Sequence, residues 1–365
     1  MINRRKFLGQ SLAGMSGLAL STSAFSNIII PNQNRKLGVA LVGLGYYSTD
    51  LLAPALQQTE HCELRGIVTG TPAKAERWKA QYNIPDKNIY NYETMDEVAN
   101  NPDIDVIYIV LPPSMHAEYS IKAANAGKHV WCEKPMAMTV EECQSMIDAC
   151  NKNKTKLSIG YRLQHEPNTQ QIIQFTKNKT YGKVETVSAA AGYREGRTDH
   201  WKQKKEMGGG AMYDMGVYPL NAARYSTQME PIAVTARAST TRPEIYHEVE
   251  ETMEFDLEFP GGVTADCITS FGKSMNSLMV NCSEGWYKLE PFQAYSGIQG
   301  ETSDGKKLNE KLPNMQQAKQ MDDDALAILN NKPMLVPGEE GLKDIRVVEA
   351  IYRSVAQNND KVAIS

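Results

Sequence analysis

Six cysteines are spread over 365 residues, at positions 62, 132, 143, 150, 267 and 282, and none forms a CxxC pair or a cysteine/histidine ligand spacing. That scatter excludes a zinc module and gives no disulfide framework, so small buried hydrophobes are the default reading. No basic block follows the first few residues, and the formal net charge is −4. Such a balance argues against nucleic acid and anionic membrane as partners. No internal repeat, low-complexity segment or apolar run long enough for stable membrane insertion is present. What remains is an ordinary globular composition, 41% hydrophobic and 22% charged, in a chain long enough for two domains.

The start of the chain differs from the rest. In "NRRKFLGQSLAGMSGLALSTSA", Arg4, Arg5 and Lys6 precede a weakly apolar stretch, with small residues Thr22, Ser23 and Ala24 at its exit. Residues 1–26 therefore read as a twin-arginine-type signal, an address for the periplasm or another exported destination. Residues 27–35 follow as a short arm. A lipoprotein signal is disfavoured, because the first cysteine is Cys62.

From Lys36 the pattern alternates. "KLGVALVGLG", "CELRGIVTG", "IDVIYIVLPP", "KHVWC" and "KLSIGYR" are apolar strand runs, and stretches of helical periodicity separate them. This alternation predicts a doubly wound parallel sheet over residues 36–160, with ligands held outside the carboxyl ends of its strands. The first turn, Gly43-Leu44-Gly45-Tyr46-Tyr47-Ser48, has two glycines of a dinucleotide fingerprint and serine in place of the third. Glycine at 43 permits a tight turn, and glycine at 45 lets backbone amides approach a pyrophosphate. The second strand ends in Val68-Thr69-Gly70-Thr71, followed by Lys74 and Arg77. No carboxylate stands there to repel a 2′-phosphate, and Lys74 can neutralise one, so NADP is favoured over NAD.

"HVWCEKPMAM" ends an apolar strand in Glu133, Lys134 and Pro135. The proline stops the strand and fixes a turn, through a cis or trans bond, that aims Lys134 at the cleft. A lysine there can bind a substrate hydroxyl and help it lose its proton. Glu133 either orients Lys134 or contacts a bound ribose. A second stretch, "EMGGGAMYDMGVYPLNAARY", puts Asp214 and Tyr218 four residues apart on one helix face. A cation beside a phenol favours phenolate, which makes Tyr218 a candidate proton carrier. Residues 161–365 read as a substrate-binding and oligomerisation domain. There "IAVTARAST", "ETMEFDLEF" and "GVTADCITSF" alternate as strands, with a turn at Pro260-Gly261-Gly262. Tyr193, Arg194, His200, Trp201 and Lys202 are candidates for substrate specificity, and "DHWKQKKEMGGG" is expected to loop over the cofactor.

These motifs, with "IGYRLQHEP" and "NNKPMLVPGEEGLKDIRVVEAIY", resemble the glucose-fructose oxidoreductase and inositol dehydrogenase family along nearly the whole chain. The resemblance implies an α/β fold: a Rossmann-type doubly wound sheet plus a C-terminal α+β domain with a large, mostly antiparallel sheet. It implies Lys134, Asp214 and Tyr218 at the chemical step and on the substrate. It assigns the cofactor to Gly43, Leu44, Gly45, Tyr46, Tyr47, Thr69, Gly70, Lys74, Leu111, His116, Glu133, Lys134 and Arg162. The implied activity is hydride exchange between a sugar or polyol and NADP, in a homodimer or homotetramer. The resemblance departs in the arm, where "NIIIPNQNRK" replaces a longer proline-rich segment and leaves permanent retention of NADP open. An NAD-dependent glycosidase that oxidises its sugar transiently is the alternative on this scaffold, and a non-catalytic dinucleotide or sugar sensor is a third.

Overall fold

Apolar runs that are buried along their whole length form the first sheet. The computed structural model describes residues 35–364, so the expected signal (1–26) and nearly all of the expected arm (27–35) lie outside the described residues. Strands β1 (Leu37–Val42), β2 (Cys62–Val68), β3 (Ile89–Tyr90), β4 (Val106–Ile109), β5 (His129–Cys132) and β6 (Leu157–Ile159) pair in parallel, in the order β3-β2-β1-β4-β5-β6. The order turns at β1, whose neighbours β2 and β4 lead to opposite edges. Every loop leaving a carboxyl end therefore opens on one rim, with a crevice beside β1.

Helices cover both faces. A π-helical turn, Tyr47–Leu52, runs into α1 (Ala53–Leu56), and the chain continues through α2 (Pro72–Tyr82), α3 (His116–Asn125) and α4 (Val140–Lys152). Thr139 opens α4 with a reciprocal capping box: its hydroxyl accepts from Glu142 N at 3.1 Å, and Glu142 Oε2 accepts from Thr139 N at 3.3 Å.

The second sheet has nine strands: β7 (Val184–Gly192), β8 (Ala233–Ser239), β9 (Thr252–Glu258), β10 (Thr264–Ser270), β11 (Met275–Cys282), β12 (Gly285–Leu289), β13 (Gly300–Thr302), β14 (Lys307–Leu308) and β15 (Val362–Ala363). Its order is β14-β13-β12-β11-β7-β10-β9-β8-β15, antiparallel throughout except for β7 with β10. Pro260–Gly262 turns β9 into β10. Helices α5 (Pro167–Asn178), α6 (Val217–Thr227) and α8 (Gly338–Ala356) share one apolar core with this sheet and one face of the first.

Helix α7 (Gln316–Leu329) crosses back. Ala318, Met321 and Ala325 pack with Leu37, Val39 and Leu41 against the opposite face of the first sheet. All six cysteines are free, and five are buried, as small core hydrophobes would be. Among the described residues no helix is long and apolar enough to cross a membrane, and no cluster of three His, Cys, Asp or Glu could hold a metal ion.

Candidate active site

The glycine turn after β1 is shaped by what lies against it. Gly43 has φ +90°, and a Cβ there would meet Val110 O at 2.4 Å and Leu111 Cδ2 at 2.7 Å. Gly45 differs, because a Cβ would meet nothing within 4 Å, so the space beside it is open to a ligand. Ser48, in place of a third glycine, is buried and donates its hydroxyl to Gly43 O at 2.5 Å, which closes the turn. Lys74 Nζ reaches back from α2 to Leu44 O at 3.1 Å. Thr69 is buried at the end of β2, and Gly70 lies under the Tyr92 ring. An open glycine, a lysine beside it and a carboxylate-free end to β2 fit a phosphate-bearing dinucleotide. Tyr46 is 64% exposed. Tyr47 instead turns inward, its ring 6.1 Å from that of Tyr295.

β5 delivers Glu133 and Lys134 to the same rim. Glu133 is buried, and Oε1 accepts from the Tyr108 hydroxyl at 2.7 Å. A Cβ on Gly160 would stand 2.8 Å from that oxygen, so glycine after β6 leaves room for the carboxyl. Burial pushes the Glu133 pKa up to about 7, against the Tyr108 bond and the nearby Lys134. The Lys134–Pro135 peptide is cis. Lys134 Nζ donates to Asp214 O at 2.7 Å, lies 3.6 Å from Asp214 Oδ1, and sits 4.8 Å from the Tyr218 ring centroid. Burial works against its charge, but the negative charge available on Tyr218, Asp214 and Glu133 raises its pKa above the usual lysine value.

The stretch read as one uniform helix begins as a π-helical turn, Met212–Gly216, and becomes α6 only at Val217. Asp214 and Tyr218 still converge on Lys134. The turn is held from below, where Glu250 Oε1 accepts from Met212 N at 2.8 Å and Tyr352 donates to the same carboxyl. π-Helical turns of this kind recur at functional sites. From above, Lys202 Nζ donates to Asp214 Oδ2 at 2.5 Å and to the Tyr193 hydroxyl at 2.8 Å. Burial alone would raise the Asp214 pKa, but Lys202 and Lys134 overrule it and hold the carboxyl below its ordinary range.

Two residues expected to line the cofactor cleft, His116 and Arg162, also brace the segments around it. The His116 ring nitrogens lie 2.8 Å from Pro135 O and 2.8 Å from Leu111 O, tying the loop after β4 to the turn that carries Lys134. Burial lowers the His116 pKa in spite of both carbonyls, and a neutral ring donates to one of them. Arg162 is buried and donates to Ala294 O at 3.1 Å, to Gln293 O at 2.5 Å and to the Gln316 side chain. Its guanidinium also lies 4.6 Å from the Tyr295 ring centroid. Arg162 thus holds the segment that presents Tyr295 to the site.

Sequence reasoning named Tyr193 and Lys202 for specificity without placing them on Asp214. It missed Tyr108, Glu250, Tyr295 and Gln316. Of these, Tyr108 alone carried a local signal, a hydroxyl inside an otherwise apolar strand run.

Residues 37–161 match the model of an oxidoreductase family with an NAD-binding Rossmann fold, and residues 169–288 match the GFO/IDH/MocA C-terminal domain. The chain belongs to the GFO/IDH/MocA oxidoreductase family. The solved structure of aldose-aldose oxidoreductase from Caulobacter crescentus, in complex with glycerol, is 39% identical and superposes with a TM-score of 0.87 over 90% of this chain and 100% of that one. A D-xylose 1-dehydrogenase [NADP(+)] of Haloarcula marismortui is 28% identical over 86% of this chain and 90% of its own length. A second NADP(+) D-xylose 1-dehydrogenase, of Haloferax volcanii, is 26% identical over 87% of this chain and 95% of its own.

Proposed function

We propose that the chain is an exported, NADP-dependent oxidoreductase that acts on an aldose or a related polyol. The observation that carries this reading is the meeting of Lys134, Asp214 and Tyr218, two of them within 4 Å of each other, on the rim where the glycine turn opens. A dinucleotide, when bound, supplies the nicotinamide carbon that takes up hydride from the substrate C–H.

The remaining work falls to side chains. Lys134 donates to the reacting hydroxyl and favours loss of its proton. Tyr218 takes that proton, or returns it when a carbonyl is reduced. Asp214, ionised between two lysines, accepts from a neighbouring hydroxyl and sets the sugar's orientation. The buried Arg162 carries the half-buried Tyr47 and the exposed Tyr295 beside it as an aromatic wall on that side of the centre.

The relatives support the substrate class, since two are D-xylose 1-dehydrogenases and one is an aldose-aldose oxidoreductase. Thr69, Thr71 and Lys74, with no carboxylate among residues 68–71, support NADP, as do the NADP(+) specificities in the two dehydrogenases' names. Export rests on the twin-arginine pattern of residues 1–26. A homodimer or homotetramer rests on the second sheet, where β9 and β10 leave alternate residues exposed on one face for a second copy.

The test starts with protein purified without added nucleotide, then denatured, with released dinucleotide identified by mass spectrometry. NADP is the expected species, and NADP reduction with D-xylose or D-glucose the expected activity. Stoichiometric NADP directs the next assay to hydride exchange between two aldoses. Bound NAD, with NAD turned over faster, overturns the cofactor assignment. No nicotinamide reduction with any aldose or polyol overturns the substrate class.

A further inference from the structure

Asp214 stands between two ammonium groups and divides itself unequally. Its Oδ2 lies 2.5 Å from Lys202 Nζ, while Oδ1 lies 3.6 Å from Lys134 Nζ. Asp214 and Lys202 are 10% and 15% exposed at their side chains, so the pairing is screened little by solvent.

We propose that Lys202 is a positioning residue for hydride transfer: it draws the Asp214 carboxylate away from Lys134, so that Lys134 keeps its N–H groups for the substrate oxygen. The proposal rests on the reading of Lys134 and Asp214 given above.

Three observations carry it. First, Lys202 is built into place. Its Nζ donates to the Tyr193 hydroxyl at 2.8 Å, and Tyr193 donates in turn to Glu195 Oε2 at 2.9 Å. Arg197 anchors Glu195 through its Nε at 2.8 Å and its backbone N at 2.9 Å. The Tyr193 hydroxyl has one proton, and Glu195 Oε2 at 2.9 Å is the nearer acceptor for it than Asp214 Oδ2 at 3.4 Å, so Lys202 is the closer donor to Asp214. The Lys202 ammonium also lies 5.2 Å from the Tyr193 ring and 5.8 Å from the Phe271 ring.

Second, Lys134 is already tied to this residue, donating to Asp214 O at 2.7 Å. Without Lys202, Lys134 is the nearest cation left to the carboxylate, and in a buried site that attraction is strong. The carboxylate would swing onto Lys134 and occupy a second of its three N–H groups. Third, two cations on one carboxylate leave a net positive charge beside the reacting oxygen, which favours loss of its proton.

The experiment compares wild type with Lys202→Met and Lys202→Arg, each as the holoenzyme with NADP, on D-xylose. The groups facing this centre are Glu133 and Lys134 from the end of β5, Tyr193, Glu195, Arg197 and His200 from the loop after β7, and Tyr218 and Tyr295 on the far side. Losing a cation raises the pKa of every acid among them, so the acid limb of kcat/KM moves to higher pH in Lys202→Met. The expected loss in kcat is about 100-fold, the scale of a misplaced catalytic group, with the KM for NADP unchanged. Lys202→Arg restores the limb. A crystal structure of Lys202→Met is expected to bring Asp214 onto Lys134, closer than the present 3.6 Å.

Unchanged limb position with kcat within twofold of wild type overturns the proposal, as does an Asp214 carboxylate that stays where it is. Wild-type protein that binds NADP but oxidises no aldose defeats the functional reading instead. The carboxylate position in Lys202→Met then decides the role of Lys202 by itself.

Discussion

The Tyr108 hydroxyl donates a 2.7 Å hydrogen bond to Glu133 Oε1, and neither residue leaves the protein interior. The bond favours the ionised carboxylate, yet burial outweighs it and places the Glu133 pKa at about 7. A carboxyl adjacent in sequence to Lys134 therefore changes charge near neutrality. Activity is expected to show an inflection near pH 7 that belongs to Glu133. Glu133→Gln removes it. Tyr108→Phe takes away a donor to the charged form, so it moves the inflection upward. A Glu133→Gln variant that keeps the same inflection in its kcat/KM profile sinks this assignment.

Tyr218→Phe keeps the ring that lies 4.8 Å from Lys134 and removes only the hydroxyl. If the hydroxyl carries the proton, kcat falls by roughly 10²- to 10⁴-fold, while dinucleotide affinity and thermal stability stay within error. Lys134→Met is expected to lose at least as much, because the substrate oxygen loses its cation. Steady-state kinetics with a nucleotide-binding titration check both. A Tyr218→Phe enzyme with wild-type kcat would move the proton elsewhere.

How far these residues were legible in the sequence depended on the range of the forces that place them. The first sheet was readable because strand runs, capping residues and glycine turns are local. "CEKP" was readable because a charge pair at the end of a buried strand is costly unless used. Lys202 was not placed on Asp214, since the chain through Arg197, Glu195 and Tyr193 exists only after the loop folds. Arg162 could not be read as a brace for Tyr295, because its partners lie more than 130 residues away. Helix α7 gave no local sign of its role. Gln316, Gln317, Gln320 and Asp324 look like a solvated face, yet all four are buried. They meet Arg162, Tyr47, Tyr108 and Ser158 across the first sheet. The π-helical turn at Met212–Gly216 likewise leaves no mark in a 3.6-residue period.

The two glycines of the first turn should fail differently when changed to alanine. At Gly43, positive φ and a Cβ 2.4 Å from Val110 O make Gly43→Ala destabilise the fold itself. At Gly45 the Cβ points into open space, so Gly45→Ala should melt with wild type. It should still bind dinucleotide at least 10-fold more weakly, because the methyl group occupies the approach to the pyrophosphate. Thermal melts and NADP titrations on the two variants separate these outcomes. Undiminished affinity in Gly45→Ala would mean that the phosphates lie elsewhere.

Glu250 links stability to the turn that carries Asp214. Its carboxyl is buried beneath Gly210, accepts from Met212 N at 2.8 Å and from Tyr352, and has no ion-pair partner among the described residues. Burial is the leading cause that lifts its pKa from the ordinary 4.5 to about 7, with the hydrogen bonds opposing. The sign follows from proton binding. Between those two values the folded chain holds the proton and the unfolded chain does not, so stability falls as pH rises. The contribution is complete below 4.5, lost across the window, and flat above about 7. Glu250→Gln copies the protonated form and keeps an acceptor for Met212 N, so it should match wild type at pH 4.5. By pH 8 it should be the more stable chain by something on the order of 3 kcal/mol. Glu133 and Asp324 also have raised pKa values, but they are common to both chains and cancel in the difference. Urea unfolding at the two pH values measures it. Parallel pH curves would mean that Glu250 ionises as easily in the folded chain as in the unfolded one. The cavity beside Tyr213 and Tyr352 would then have to admit enough water to solvate the charge.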